Sequence, residues 1–176
     1  APLVQAPNNM CEYDNPPVLT ADEEKYQNVR WYSAADRAEE NQIGEGHSYS
    51  LTKEEMTPTI KRYYLTQTIR DCESSATSVV FTIYTKPISP TVVGASVCEG
   101  DTVIPTLSTN MNADIWYADE DAQIQLTKGY TYTPEANEVG NSDKIYYVVR
   151  EQRGCYSDTI PDTLHVIAKP TFSIGN

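Results

Sequence analysis

Hydrophobic positions along the chain fall into short runs with a period of two, the repeat of a strand that buries one face. Val79, Phe81 and Ile83 alternate in one run, and Leu164, Val166 and Ala168 alternate in another. Further β-prone runs are expected over 103–108, 113–117, 130–133, 144–150 and 163–169, with turn-forming residues between them. The one stretch of helix-forming composition, 32–41, has a counterpart at 117–125 that lacks it, so both read as loop or a single turn. About seven short strands in each half, separated by turns, predict an all-β chain built of β-sandwiches.

The pattern occurs twice. Cys11, Trp31, Tyr32, Tyr63, Tyr64, Cys72 and Lys86-Pro87 return in order as Cys98, Trp116, Tyr117, Tyr146, Tyr147, Cys155 and Lys169-Pro170. The offset is constant from Tyr49 and Tyr132 onward and changes only on either side of the tryptophan, so the length differences lie in loops. A self-similarity of this period marks an array of like modules. The expected organisation is one domain over 1–87, a second over 88–170, and the opening of a truncated third repeat at 171–176. The linker 86–90 carries two prolines, which restrict the backbone and predict a semi-rigid connection.

The repeat also directs the cysteines. Two per copy at matching positions predict one disulfide in each domain, Cys11 with Cys72 and Cys98 with Cys155. Each would close a long loop and contribute roughly 4 kcal/mol in the chain-entropy model. Such bridges place the chain in an oxidising compartment, extracellular or at the cell surface. Zinc sites use closely spaced pairs such as C-x-x-C, and the sequence has none. Before Cys155 stands Gly154, and before Cys72 stands Asp71, both suited to the positive φ of a tight hairpin turn.

Within the framework, Trp31, Trp116, Phe81, Ile83, Leu164 and Val166 are the expected core. Of the pairs Tyr63-Tyr64 and Tyr146-Tyr147, one member points inward and one outward, because neighbours on a strand face opposite ways. Tyr13, Tyr130 and Tyr156 are unrepeated and are candidates for exposure.

Charge narrows the function. The net charge is −12, with a balance of 13 basic to 25 acidic residues and no basic cluster. Nucleic-acid binding needs such clusters and is not expected. No stretch has the length of a membrane span, so direct membrane insertion is not expected either. His47 and His165 are unrepeated and read as exposed side chains. The acidic runs Asp119-Glu120-Asp121 and Asp36, Glu39, Glu40 follow no calcium-loop spacing and read as solvated surface. Neither a nucleophile-elbow pattern nor a phosphate loop occurs, so the chain calls for no cofactor, no metal and no catalytic residues.

Cys98-Glu99-Gly100-Asp101, then Trp116-Tyr117, the Gly-Tyr-Thr-Tyr at 129–132, Tyr146-Tyr147-Val148, Gly154-Cys155 and Lys169-Pro170 resemble Ig-like domains of secreted and cell-surface proteins of the Bacteroidetes. That family includes gliding-motility adhesins and modular hydrolases. The first copy departs from it at Tyr13 and Asp71. The resemblance implies two tandem Ig-like sandwiches acting as a non-catalytic structural or adhesive repeat. The alternative it implies is a glycan- or protein-binding accessory module of a secreted hydrolase. Expected partners are neighbouring Ig-like repeats and an extracellular glycan or protein. It also makes Asp-Thr-aliphatic at Thr102, Thr159 and Thr163 a possible O-glycosylation motif, although such residues are common in strands.

Overall fold

Period-two runs become strands in the computed structural model, which describes residues 1–171. The chain divides into two units, Ala1–Lys86 and the stretch from Pro87 on. The first contains β1 (Met10–Cys11), β2 (Val18–Thr20), β3 (Val29–Tyr32), β4 (Gln42–Glu45), β5 (Ser48–Ser50), β6 (Thr59–Ile69), β7 (Cys72–Glu73) and β8 (Thr77–Tyr84). The second contains β9 (Val92–Val93), β10 (Ala95–Cys98), β11 (Leu107–Thr109), β12 (Asp114–Tyr117), β13 (Gln125–Lys128), β14 (Thr131–Tyr132), β15 (Lys144–Gln152), β16 (Cys155–Tyr156) and β17 (Ile160–Ile167). Among the described residues the 32–41 stretch supplies a single 3-10 turn, Glu39–Asn41, and no α-helix. The expected start of a third repeat lies outside the described residues apart from Thr171.

Each unit is a sandwich of a large sheet and a small one. In the first, the large sheet runs β1-β8-β6-β3-β4 with β7 folded onto β6, and β2 pairs with β5. In the second, the order is β10-β17-β15-β12-β13 with β16 on β15, facing β14-β11-β9. The first strand of each large sheet runs parallel to the last, β1 with β8 and β10 with β17, while the neighbours inward are antiparallel. The core between the sheets holds Trp31, Leu65, Tyr63, Val79, Phe81 and Ile83 in one unit. It holds Trp116, Tyr146, Val148 and Leu164 in the other, with Val166 partly buried at its margin.

Two strand expectations shift. The 103–108 run forms a strand only at Leu107–Thr109, because Pro105 has no N–H to give to a ladder. Ile104 still turns inward and is buried, while Val103 is left exposed. The openings of both modules, with no clear alternation in sequence, form the parallel edge strands β1 and β10.

The cysteines depart from expectation more sharply. Cys11 and Cys155 are each disulfide-bonded, and Cys72 and Cys98 are free and exposed. Neither Cys11–Cys72 nor Cys98–Cys155 forms. The register gives the reason. Cys11 stands opposite Tyr84, beyond the Thr59 end of β6, whereas Cys72 pairs with Ile69 at the other end of that strand. Cys98 stands opposite Ile167, past the Lys144 end of β15, whereas Cys155 pairs with Gln152 at the far end. At about 3.3 Å per residue the two cysteines of one module are roughly 30 Å apart. A disulfide tolerates Cα atoms no more than about 7 Å apart.

Candidate functional site

The residues that repeat spend their polar atoms inside the sandwich. Trp31 Nε1–H donates to the Gly46 carbonyl at 2.9 Å, and Trp116 Nε1–H to the Gly129 carbonyl at 3.1 Å. Both glycines have positive φ, 100° and 147°, which turns their carbonyls toward the indole. Gln67 and Ser74 lock one hairpin by a reciprocal pair, Ser74 N–H to the Gln67 carbonyl and Gln67 N–H to Ser74 Oγ. Arg150 and Ser157 repeat that lock in the second unit. The hairpin tips have left-handed residues at Arg70 and Asp71 and at Arg153 and Gly154, as the turn chemistry requires.

A carboxylate closes each aromatic core. Tyr49 and Tyr63 hydroxyls both donate to Glu55 Oε1, at 2.9 and 3.0 Å. Tyr132 hydroxyl donates to Glu138 Oε2 at 2.9 Å. Burial works to raise Glu55, but the Thr52 backbone and the two hydroxyls outweigh it and leave it below the ordinary carboxylate value. Burial, then the hydrogen bond to Glu55, pushes Tyr49 up to about 12, and Tyr146 reaches about 12 through burial and the charge of Glu138. Glu55 and Glu138 belong to none of the repeated motifs, yet both sit at the constant offset that relates Tyr49 to Tyr132, and that identity is the signal the sequence holds for them.

The outer face of each large sheet is where the units diverge. Equivalent positions carry Arg30 and Ile115, Arg37 and Ala122, Glu45 and Lys128, Arg62 and Ile145, Thr66 and Val149, Glu73 and Tyr156. Between them the tyrosines Tyr32 and Tyr117, and Tyr64 and Tyr147, stay the same. In the first unit this face is charged. Tyr32 and Thr66 hydroxyls converge on Glu73 at 2.9 and 2.6 Å, and Arg37 reaches the Ser74 carbonyl at 3.1 Å. The Thr66 hydroxyl, opposed by burial, is the main influence holding Glu73 below its usual value. A groove of about 560 Å³ runs along the face, lined by Arg30, Tyr32, Arg37, Glu45 and Glu73. In the second unit the same face is an apolar cluster of Ile115, Tyr117 and Val149 with Tyr147 packed against it. Tyr156 and Ile145 stay substantially exposed beside it.

One polar cluster is private to the second unit. Asp114 and Arg150, both buried, form an ion pair with Arg150 Nε at 2.8 Å and Nη2 at 3.0 Å from the carboxylate. Thr109 donates to Asp114 and Arg150 donates to Asn110. The first unit has Val29 and Gln67 at these positions.

The other residues singled out from sequence fall apart spatially. His47, half-buried, has Nε2 2.6 Å from the Tyr26 carbonyl, while exposed His165 has Nδ1 2.8 Å from Asp143. Asp119 accepts from the Gln123 and Ile124 backbones, and Asp36 from Ala38 and Asn41, so these acids cap loops. Among the described residues no three metal-ligating side chains converge. Tyr13, Tyr130 and Tyr156 are about half exposed, on separate elements. Thr102 and both its motif neighbours are exposed, whereas Thr159 and Thr163 are half-buried and Asp162 is buried.

Sheet order, the parallel edge strand and the tryptophan on the strand before the outer hairpin define the class: each unit is an Ig-like β-sandwich, a fold used for binding and structural modules. No protein-family model and no curated protein sequence matches the chain. Among solved structures it is similar to a chain in the crystal structure of mouse coronavirus receptor-binding domain complexed with its murine receptor. That match has 14% identity and TM-score 0.52, and covers 95% of this chain and 100% of the other. Murine CEACAM1b is similar at 13% identity and TM-score 0.43, over 95% and 100% of the two chains. The immunoglobulin domains 1–4 of Sidekick-1 follow at 13% identity and TM-score 0.42, over 95% and 49%.

Proposed function

We propose that the chain is a structural and adhesive segment of an exported protein, a pair of Ig-like repeats of the kind found on Bacteroidetes cell surfaces or in their secreted proteins. The domains divide at the 86–90 linker, and neighbouring repeats are partners. The supporting observation is the split between an inner framework common to both units and outer sheet faces that differ in character. A spacer needs the framework alone, while adhesion needs one face free to vary. The disulfide is typical of an oxidising, extracellular setting. An antibody raised against the chain is expected to label intact cells of the native host. Labelling only after permeabilisation would overturn the export reading.

A second reading, a glycan- or protein-binding accessory module of a secreted hydrolase, draws on the aromatic outer face of the second unit. Exposed tyrosines give sugar- and protein-binding surfaces apolar area with a polar tip. A hit on a glycan array that disappears in Tyr156→Ala, with the fold retained by circular dichroism, favours it.

A further inference from the structure

The free thiols fit a rule that the repeat itself supplies. Each module has one cysteine of two kinds. The turn cysteine, Cys11 or Cys98, ends the parallel edge strand, and its carbonyl accepts from the aspartate three residues on, Asp14 or Asp101. The residue after it donates to the end of the last strand, Glu12 to Tyr84 and Glu99 to Ile167. The hairpin cysteine, Cys72 or Cys155, follows a pair of left-handed residues at the opposite end of the sheet. Backbone geometry at each kind is therefore the same in both modules, and only the bonding differs. Cys11 is bonded and buried where Cys98 is free and exposed; Cys155 is bonded and buried where Cys72 is free and exposed. The oxidised cysteines are one of each kind, and so are the free ones. Because the two kinds lie roughly 30 Å apart by strand rise, no module can satisfy its own pair.

We propose that Cys72 and Cys98 are the open halves of disulfides between modules. Cys72 takes the turn cysteine of a further module, and Cys98 takes the hairpin cysteine of another. A second copy of this chain presents both kinds, so the chain links to itself head to tail. The chemistry needs a disulfide oxidant such as oxidised glutathione. One cysteine thiolate attacks the oxidant, releasing one glutathione thiolate and leaving a mixed disulfide. The complementary cysteine thiolate then displaces the second glutathione. Two protein thiols are oxidised, one oxidant disulfide is reduced, and two protons pass to the released thiolates.

The test is oxidation of the purified full chain in a glutathione couple, read by non-reducing electrophoresis and peptide mass mapping. The expected product is a ladder in steps of 19.7 kDa that reductant collapses, with Cys72 peptides joined to Cys98 peptides between chains. Cys72→Ser and Cys98→Ser, each retaining one kind of free cysteine, should stay monomeric. Mixed in equal amounts they should give a heterodimer at least about tenfold over either homodimer. The proposal is overturned if both thiols remain alkylatable after exhaustive oxidation. It is equally overturned if Cys72 and Cys98 join within one chain, or if each variant dimerises with itself as readily as the mixture does.

Discussion

The buried Asp114–Arg150 pair can be exchanged for the solution the other module uses. Arg150→Gln alone leaves Asp114, fully enclosed, with Thr109 as its remaining side-chain donor. Removing one partner of a buried pair typically costs about 3–5 kcal/mol, because the remaining charge has lost its compensation. Asp114→Val alone leaves the guanidinium buried against Asn110 and should cost a similar amount, about 3 kcal/mol. The double variant reproduces the Val29–Gln67 arrangement, and the two strands already share its register, Asp114 opposite Arg150 as Val29 is opposite Gln67. It should lie within about 2 kcal/mol of the parent, a coupling of at least about 3 kcal/mol between the sites. Hydrogen exchange of the β12 and β15 amides measures the opening free energy in the second unit, with β3 and β6 as an internal control. Additive losses in the double variant would refute the view that the pair is an interchangeable solution to one packing position.

Asp162 occupies the inner-face position held by Val79 in the first unit, and burial raises its carboxyl to about 6. Ionising it opposes folding, so stability should fall as pH rises from about 4 to about 6 and show no further loss from this group above that, by at most about 3 kcal/mol. Asp162→Val should flatten that slope and stabilise the second unit at pH 7.5, as followed by hydrogen exchange at several pH values; an unchanged slope would contradict the assignment. Glu55→Gln removes a charged acceptor from two tyrosine hydroxyls and should cost about 1–3 kcal/mol in the first unit, read from the opening of β6 amides. If the chain is O-glycosylated at its Asp-Thr-aliphatic sites, peptide mass spectrometry on native material should find Thr102 occupied first, since only that motif is exposed throughout. Occupancy at Thr163 with Thr102 bare would contradict that order.

The fold was legible where side chains alternate. Phe81 and Ile83, and Leu164 with its neighbours, announced the last strand of each sheet, and the paired tyrosines announced the longest. The opening strands were not legible, because β1 and β10 are parallel edges held by register to β8 and β17, and their own side chains carry little alternation. The cysteine pairing failed for a related reason. Matching positions in two copies reveal that the cysteines are equivalent, but distance along a strand decides which can bond, and the 60 residues between Cys11 and Cys72 do not bring them to the same end. The outer-face contrast was present in the aligned residues throughout. It became visible once the strands assigned Arg30 and Ile115, or Glu73 and Tyr156, to one surface.

The central claim is that the inner framework folds each module and the outer sheet face is free to carry specificity. It is tested most directly by grafting the face of the first unit onto the second: Ile115→Arg, Ala122→Arg, Lys128→Glu, Ile145→Arg, Val149→Thr and Tyr156→Glu together. Tyr117, the counterpart of Tyr32, would then meet a glutamate at 156, as Tyr32 meets Glu73. The opening free energy of the β15 amides should fall by less than about 2 kcal/mol, against about 3–5 kcal/mol for Trp116→Ala in the core. A graft that unfolds the second unit, or costs as much as the core variant, would show that face and framework are not separable.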